Sequence, residues 1–413
     1  MIDVVEQQST AEELPEGWRW VKIGDVCVSK TGTINLALQP EDTFYYVDIS
    51  SVDNKTKRIV EAKALLGKDA PSRARQCIRA NDVIVSTTRP NLNAVALIPD
   101  DLDNQVCSTG FCVLRSDVDI HPQYLFAYVQ SQAFISKLSD LVKGALYPAV
   151  TDVQVREQYI PLPPLSEQQR IARILTEQFA EVEQARAAAE AQLAATQELG
   201  SAYLHQIFEG EDAQSWPLVE LEHITIGNGQ YGTSEKSSAE PIGPVVLRMG
   251  NIVDGQLDWS NLKYGDLPKP ELEKYLLSPG DILFNRTNSA ELVGKTAVYQ
   301  GEYPAIFASY LIRFRVRPDL ADPRFISAYI NSTGRSFIER HMARAIGQVN
   351  ISASTMSKMP IPCPPLAVQR ETMDRLDEQQ HALRTLRTTL IEQLNSITTL
   401  PAALLRQAFS GAL

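Results

Sequence analysis

The sequence predicts an α+β protein made by tandem duplication, with two globular domains of one plan separated by two long antiparallel helices in a pseudo-two-fold arrangement. Three observations predict it. The phrase IPLPPLSEQQ at 160–169 returns as IPCPPLAVQR at 361–370. Each copy opens a long run rich in strong helix formers. Laid on itself at a shift of 201 residues, the chain also aligns SAYLHQIFEG (201–210) with AALLRQAFSG (402–411), and YLFAYV (124–129) with FISAYI (325–330). Shifts of 198 to 200 align Trp18 with Trp216, NDVIV (81–85) with GDILF (280–284), and GFCVLR (110–115) with YLIRFR (310–315), a drift that loop insertions produce. Two units this long form a pseudo-dimer, whereas a solenoid needs more and shorter repeats.

The boundaries follow the repeat: a first globule over 1–160, a long helix over 161–212, a second globule over 213–360 and a second long helix over 361–413. Within each globule, short apolar runs such as DVIVSTT, AVALIP, DILFNRT and LIRFRVRP, bounded by Gly, Pro, Asn and Asp, read as strands. PQYLFAYVQSQAFISKLSDL and PRFISAYINSTGRSFIERHM space their apolar residues helically after a proline suited to a first turn. The 13 residues ahead of Leu14 carry no such pattern.

The first long helix is predicted to start at Ser166 as N-cap, with Glu167 in the first turn where the helix dipole favours a carboxylate. Ala367 replaces that cap in the second copy, so its start should be less sharply defined. Leu175, Val182, Ala189, Thr196 and Tyr203 recur every seven residues, and Leu376, Leu383, Leu390, Ile397 and Leu404 do the same. A heptad kept over this length is a helix-pairing seam. Phe179, Ala185, Leu193, Leu199 and Ile207, with Leu386, Leu394 and Leu400, widen it toward a bundle stripe. Gly200 and Pro401 are equivalent, which predicts a break or bend at one place in both helices. The second globule starts where the first helix ends and finishes where the second begins. Helices this long outrun the width of a globule, so the second should return antiparallel.

Composition bounds the class. The 413 residues are 44% hydrophobic and 22% charged, with net charge −11. That is an ordinary globular composition, and no run reaches the roughly 18 apolar residues of a membrane span. Residues 166–212 hold three basic against nine acidic side chains, the most acidic piece for its length. The five cysteines include no C-x-x-C pair and the five histidines lack metal spacing, which argues against a zinc site. GNGQYG at 227–232 matches G-x-G-x-x-G with Asp254 beyond it, but TSEKSSAEPIGP cannot supply the helix a dinucleotide site needs. It reads as a turn-rich loop. No Walker motif or other catalytic pattern is present, and a cytoplasmic location is the default expectation.

The two proline phrases, the helix end AALLRQAFSG, and stretches such as DVIVSTTRPNL, RMGNIVDGQLD, DILFNRTNSAELVGKTAVY and FASYLIRFRV resemble type I restriction-modification specificity subunits over essentially the whole chain. The resemblance implies that the globules are target-recognition domains, each reading one half of a bipartite, asymmetric site in double-stranded DNA. It implies a non-catalytic subunit whose paired helices set the spacer and dock two methylation subunits. Restriction and translocase subunits would join that core, with S-adenosylmethionine, ATP and Mg on those partners and no cofactor or metal here. The alternative is a structural adaptor, or a specificity-like subunit of another defence system.

Candidate DNA contacts are polar and basic loop residues, because Arg and Asn read guanine and adenine bidentately while hydroxyls and Lys mostly hold phosphate. In the first globule they are Arg73, Arg75 and Arg79, then Ser86, Thr87, Thr88, Arg89, Asn91 and Asn93, with Lys143 and Tyr147. In the second they are Tyr231, Thr233, Ser234, Lys236, Arg248 and Asn251, then Arg286, Thr287, Asn288, Ser289 and Lys295, with Arg344, Gln348 and Asn350. The favoured clusters surround Arg89 and Arg286, where both copies place a basic, hydroxyl-rich loop at one point.

Overall fold

The computed structural model describes residues 14–144, 146–289, 292–345 and 348–413. Residues 1–13 and the side chains of Asn288, Arg344 and Gln348 lie outside the described residues. The chain packs as two compact units, one of residues 1–190 with 392–413 and one of residues 191–391.

In the first unit the predicted apolar runs become strands. Phe111–Leu114, Val83–Ser86 and Val95–Leu97 form an antiparallel sheet in that order, and Lys63–Leu66, Thr43–Val47, Gln105–Ser108 and Ala74–Ile78 form a second. Only the Thr43–Val47 and Gln105–Ser108 pair is parallel there. Arg19–Lys22 pairs with Tyr159–Leu162, so the strand of the first proline phrase is tied to the first strand of the unit. The helical stretch after Pro122 resolves into Pro122–Val129 and Gln132–Asp140, because Ser131 leaves helical geometry and its hydroxyl caps Phe134. The core gathers Tyr124, Tyr128 and Phe134 with Ile171, Ala172 and Leu175 of the first long helix and Leu405 and Ala408 of the second.

The second unit repeats the plan. Gln230–Tyr231, Leu311–Phe314, Ile282–Asn285 and Thr296–Val298 form one sheet in that order, and Val245–Leu247 pairs in parallel with Ala305–Phe307. Leu218–Glu220 pairs with Pro360–Pro362 of the second proline phrase. Helices Pro323–Asn331 and Arg335–His341 are separated around Gly334. Their core includes Phe325, Ile326 and Ile338, with Phe208 of the first long helix and Met373 and Leu376 of the second. The G-x-G-x-x-G stretch is no nucleotide loop. A Cβ on Gly229 would stand 2.6 Å from the Phe314 ring and one on Gly232 would stand 2.2 Å from the Phe307 carbonyl oxygen, so both glycines serve close packing of the short strand between them.

The long helices span Leu165–Glu209 and Leu366–Ser410. Both begin one residue after the double proline, with the Pro164 carbonyl accepting from Glu167 and Gln168, and that of Pro365 from Val368 and Gln369. Ser166 is therefore inside the first turn and is not the cap. Ala367 costs the second helix no definition. What closes each start is a glutamine common to both phrases. Gln168, fully buried, accepts from the His121 N–H at 2.8 Å and donates to the carbonyls of Asp119 and Pro163 at 3.0 and 2.9 Å. Gln369, also fully buried, accepts from the Asp322 N–H at 2.9 Å and donates to Leu320 and Pro364 at 3.1 and 2.8 Å.

Neither helix breaks at Gly200 or Pro401. Packing carries the second through its proline, since Leu405 and Ala408 beyond it are buried in the first unit's core. The ten seam residues are all buried or half-buried, but Ala185, Leu199, Leu386 and Leu400 are exposed and do not widen the stripe. In the first unit, the opening turn of one helix lies against the end of the other, with Arg170 donating to the main-chain oxygen of Leu413 at 2.6 Å. In the second unit, Gly200 lies against Leu383, while Tyr203 and Phe208 share a core with Met373 and Leu376, so partner numbers fall as the first helix advances. The pairing is antiparallel.

Candidate nucleic-acid interface

In the first unit the strand Val83–Ser86 delivers the chain to a loop held from two sides. Thr87 donates its N–H to the Gly110 carbonyl at 2.9 Å, and its own carbonyl accepts from Val150 at 2.8 Å. Two residues on, the Arg89 N–H donates to the Pro148 carbonyl at 2.8 Å. These bonds bring the stretch that carries exposed Lys143 and Tyr147 beside Arg89, joining two candidate clusters that lie about 60 residues apart in sequence. Arg89 is exposed and left-handed, at φ 48° and ψ 60°, just before Pro90. A non-glycine residue in that region is strained, and such strain concentrates at binding loops. Asn91 is exposed on the next turn, whereas Asn93 is buried and its carbonyl accepts from the Lys57 ammonium at 2.7 Å.

The basic strand beside this loop divides. Arg73 is exposed, and its carbonyl accepts from Thr109 at 2.9 Å, next to the Gly110 that holds Thr87. Arg75 is exposed but turns its Nε to the Ser72 carbonyl at 2.9 Å, and Arg79 lies at the strand's other end.

The second unit builds the same crossing. Arg286 donates its N–H to Tyr310 at 3.1 Å and accepts from Ile351 at 3.0 Å, while Thr287 and Asn288 pair with Asn350 and Val349. Those are the bonds of Thr87, and Thr87 and Arg286 each follow directly from the equivalent strand. Residue for residue, Arg286 takes the place of Thr87, and Asn288 that of Arg89. The loop recurs as the sequence predicts, but the two arginines are offset by two positions.

Tyr231 joins this crossing from a distant segment. Its ring carries the Arg286 guanidinium at 4.7 Å and its hydroxyl accepts from the Ala353 N–H at 3.0 Å. Asn350 is exposed, with its Oδ1 3.4 Å from Arg286 Nη2. Ser234, Lys236 and Ser289 are exposed, and Lys295 is half-buried with its carbonyl accepting from Asn285. Arg344 and Gln348 contribute backbone to the small sheet around Asn350.

Five candidates are committed to the protein itself. Ser86 and Thr87 are buried with hydroxyls donated to the carbonyls of Thr88 and Gly110. Thr233 is buried and its hydroxyl accepts from Glu235. Asn251 is buried, accepting from Arg248 and donating to Asp258, and Arg248 donates to the Asn261 carbonyl. Burial and these hydrogen bonds tie Ser86, Thr87, Thr233 and Asn251 to their loops, whereas Arg248 is half-buried and its enclosed Nε has no partner among the described residues.

The sequence reading passed over what steadies each crossing. Buried Asp82 takes a two-pronged bond from Arg115 at 2.8 and 2.7 Å, and buried Asp281 takes one from Arg315 at 2.7 and 3.1 Å. The hydrogen bonds to the carboxylates raise both arginines above their ordinary range. The available signal was identity between copies, since NDVIV/GDILF and GFCVLR/YLIRFR align Asp with Asp and Arg with Arg. Among the described residues no cluster of His, Cys, Asp and Glu could hold a metal, and no helix is long and apolar enough to cross a membrane.

Comparison with known proteins agrees with this geometry. The family model for the type I restriction modification DNA specificity domain matches twice, over residues 15–190 and 219–396. The EcoKI type I restriction enzyme specificity subunit of Escherichia coli K12 is 24% identical over 427 residues, covering 98% of this chain and 91% of that protein. The HsdS subunit of Thermoanaerobacter tengcongensis superposes with TM-score 0.71 at 31% identity, covering 98% of this chain and 100% of that one. A chain solved in work on complex assembly and conformational transition of the type I R-M system gives 0.80 at 31% identity, covering 97% and 100%. With two copies of the family's domain filling most of its length, this chain belongs to the type I restriction-modification DNA specificity family.

Proposed function

We propose that the chain is the non-catalytic specificity subunit of a type I restriction-modification complex, each unit reading one half of a bipartite, asymmetric site in double-stranded DNA. The observation that carries this reading is the duplicated loop crossing, Thr87–Arg89 against 148–150 and Arg286–Asn288 against 349–351. It presents Arg, Asn and Tyr side chains on anchored backbone, the arrangement base-edge readout requires. Arg73, Arg75, Lys143, Ser234 and Lys236 serve phosphates around it.

Exposed Leu199, Leu386, Ile391 and Leu400 on the long helices offer apolar surface suited to protein and not to phosphate. On this reading, two methylation subunits dock there and bring S-adenosylmethionine, while restriction subunits bring ATP and Mg. The acidic first helix then faces protein, and the complex works on DNA in the cytoplasm.

The test is a genome-wide map of adenine methylation in the native host with and without the gene. Loss of one bipartite motif with the gene is the expected result. An unchanged map, with the protein and its partner subunits expressed, sinks the reading.

A further inference from the structure

We infer that Arg286 reads a guanine in the half-site recognised by the second unit, and that Tyr231 is the positioning residue that aims it. This rests on the DNA-reading role above and names the base that role requires. Three features single out this arginine. Its backbone is pinned on both sides, to Tyr310 at 3.1 Å and Ile351 at 3.0 Å. Its guanidinium lies 4.7 Å over the Tyr231 ring, which is itself fixed by the Ala353 N–H at 3.0 Å and by strand pairing of Gln230 and Tyr231 with Arg313 and Ile312. Among the described residues its Nε is buried with no hydrogen-bond partner, while Nη1 and Nη2 have long contacts alone, 3.5 Å to the Ser309 carbonyl and 3.4 Å to Asn350 Oδ1.

A guanidinium held so firmly yet bonded so weakly within the protein is arranged for a ligand that replaces the long contacts with short ones. With Nε enclosed, the distal nitrogen pair is what remains to be offered. Two parallel N–H donors on a rigid plane match the O6 and N7 acceptors that guanine alone presents together in the major groove. A phosphate can accept the same fork but carries no base identity, so dependence on sequence at one pair is what separates the two. The first unit has no counterpart, because Thr87 at this position is buried with its hydroxyl on Gly110. The two units therefore read different bases from one framework.

The experiment uses the complex of this chain with its host's methylation subunits, acting on a plasmid pool with randomised half-sites, read by sequencing methylated adenines. The native complex is expected to require a G·C pair at one fixed position of the half-site that responds to Arg286 substitution. Arg286→Lys keeps the charge but loses the fork. It should lower discrimination at that pair by about tenfold or more, leaving the other half-site intact as the control for folding. Tyr231→Ala should relax the same pair, and Tyr231→Phe, which keeps the ring but loses the hydroxyl held by the Ala353 N–H, should relax it less. Uniform weakening over all sequences would mean a phosphate contact and overturn the inference, as would an affected position that is not guanine or unchanged discrimination. Failure of the native complex to produce any bipartite motif would instead count against the broader function.

Discussion

Lys57 shows how one side chain can support a loop at a measurable cost. Its ammonium reaches the Asn93 carbonyl at 2.7 Å and so braces the segment that presents Arg89 and Asn91. Burial pushes it down to about 8 from its ordinary 10.5, with Asp53 opposing the shift. Between those two values the unfolded chain keeps a proton that the folded chain has released. Stability from this group therefore rises with pH across that window and is constant below it. Lys57→Met should remove that rise, so the urea midpoint of the parent should climb relative to that of the variant between pH 8 and 10. Parallel curves would show that Lys57 is not desolvated as the structure places it. The same scale separates two kinds of residue. Positions identical in both copies, Asp82 with Asp281 and Arg115 with Arg315, hold the frame. Positions that differ, Thr87 with Arg286 and Arg89 with Asn288, are where the two units part company on one framework.

At the scale of elements, the repeated phrase is a joint. Prolines stop the strand from running on and set the helix start, and a buried glutamine one turn in ties that start to the segment entering a short helix. In the second unit Arg324 adds a clamp, reaching Asp374 at 3.0 Å and Asp377 at 2.8 Å on the long helix. Gln369→Leu would leave the N–H of buried Asp322 without its partner and take the amide donor from the carbonyls of Leu320 and Pro364. The expected loss is about 2–4 kcal/mol, read as a lowered denaturant midpoint for the second unit. A loss below about 0.5 kcal/mol would mean that the prolines alone fix the joint. Far-ultraviolet circular dichroism should still report both long helices, whose many other contacts are untouched.

For the whole molecule, the question is what a continuous 45-residue helix in each copy is for. Stability alone would be met by fewer turns. If the helices set the spacing between half-sites, inserting one heptad in both, at equivalent places, keeps the seam in phase and adds roughly 10 Å. That is about three base pairs of B-form rise, so the methylated motif should acquire a longer spacer with both half-sites unchanged. An unaltered spacer would refute the ruler while leaving recognition standing. The net charge of −11 fits such a division of labour. Attraction to phosphate is then confined to local basic loops, and much of the surface is left to protein and solvent.

By itself the sequence determined the duplication, the long helices with their heptad seam, the antiparallel return and the most apolar of the strands, because periodicity and proline placement act within a few turns of chain. It also marked the loops at Arg89 and Arg286. Only the tertiary structure decided what those loops meet. Thr87 bonds to Val150, and Arg286 meets Tyr231 and Asn350, through strand pairings between segments more than 50 residues apart that no local pattern encodes. Burial likewise placed Ser86, Thr87, Thr233 and Asn251 inside the protein, bonded to neighbouring backbone groups. Polar side chains look alike in sequence whether they face a groove or a neighbouring carbonyl, and the difference is set by which backbone groups the fold leaves unpaired beside them.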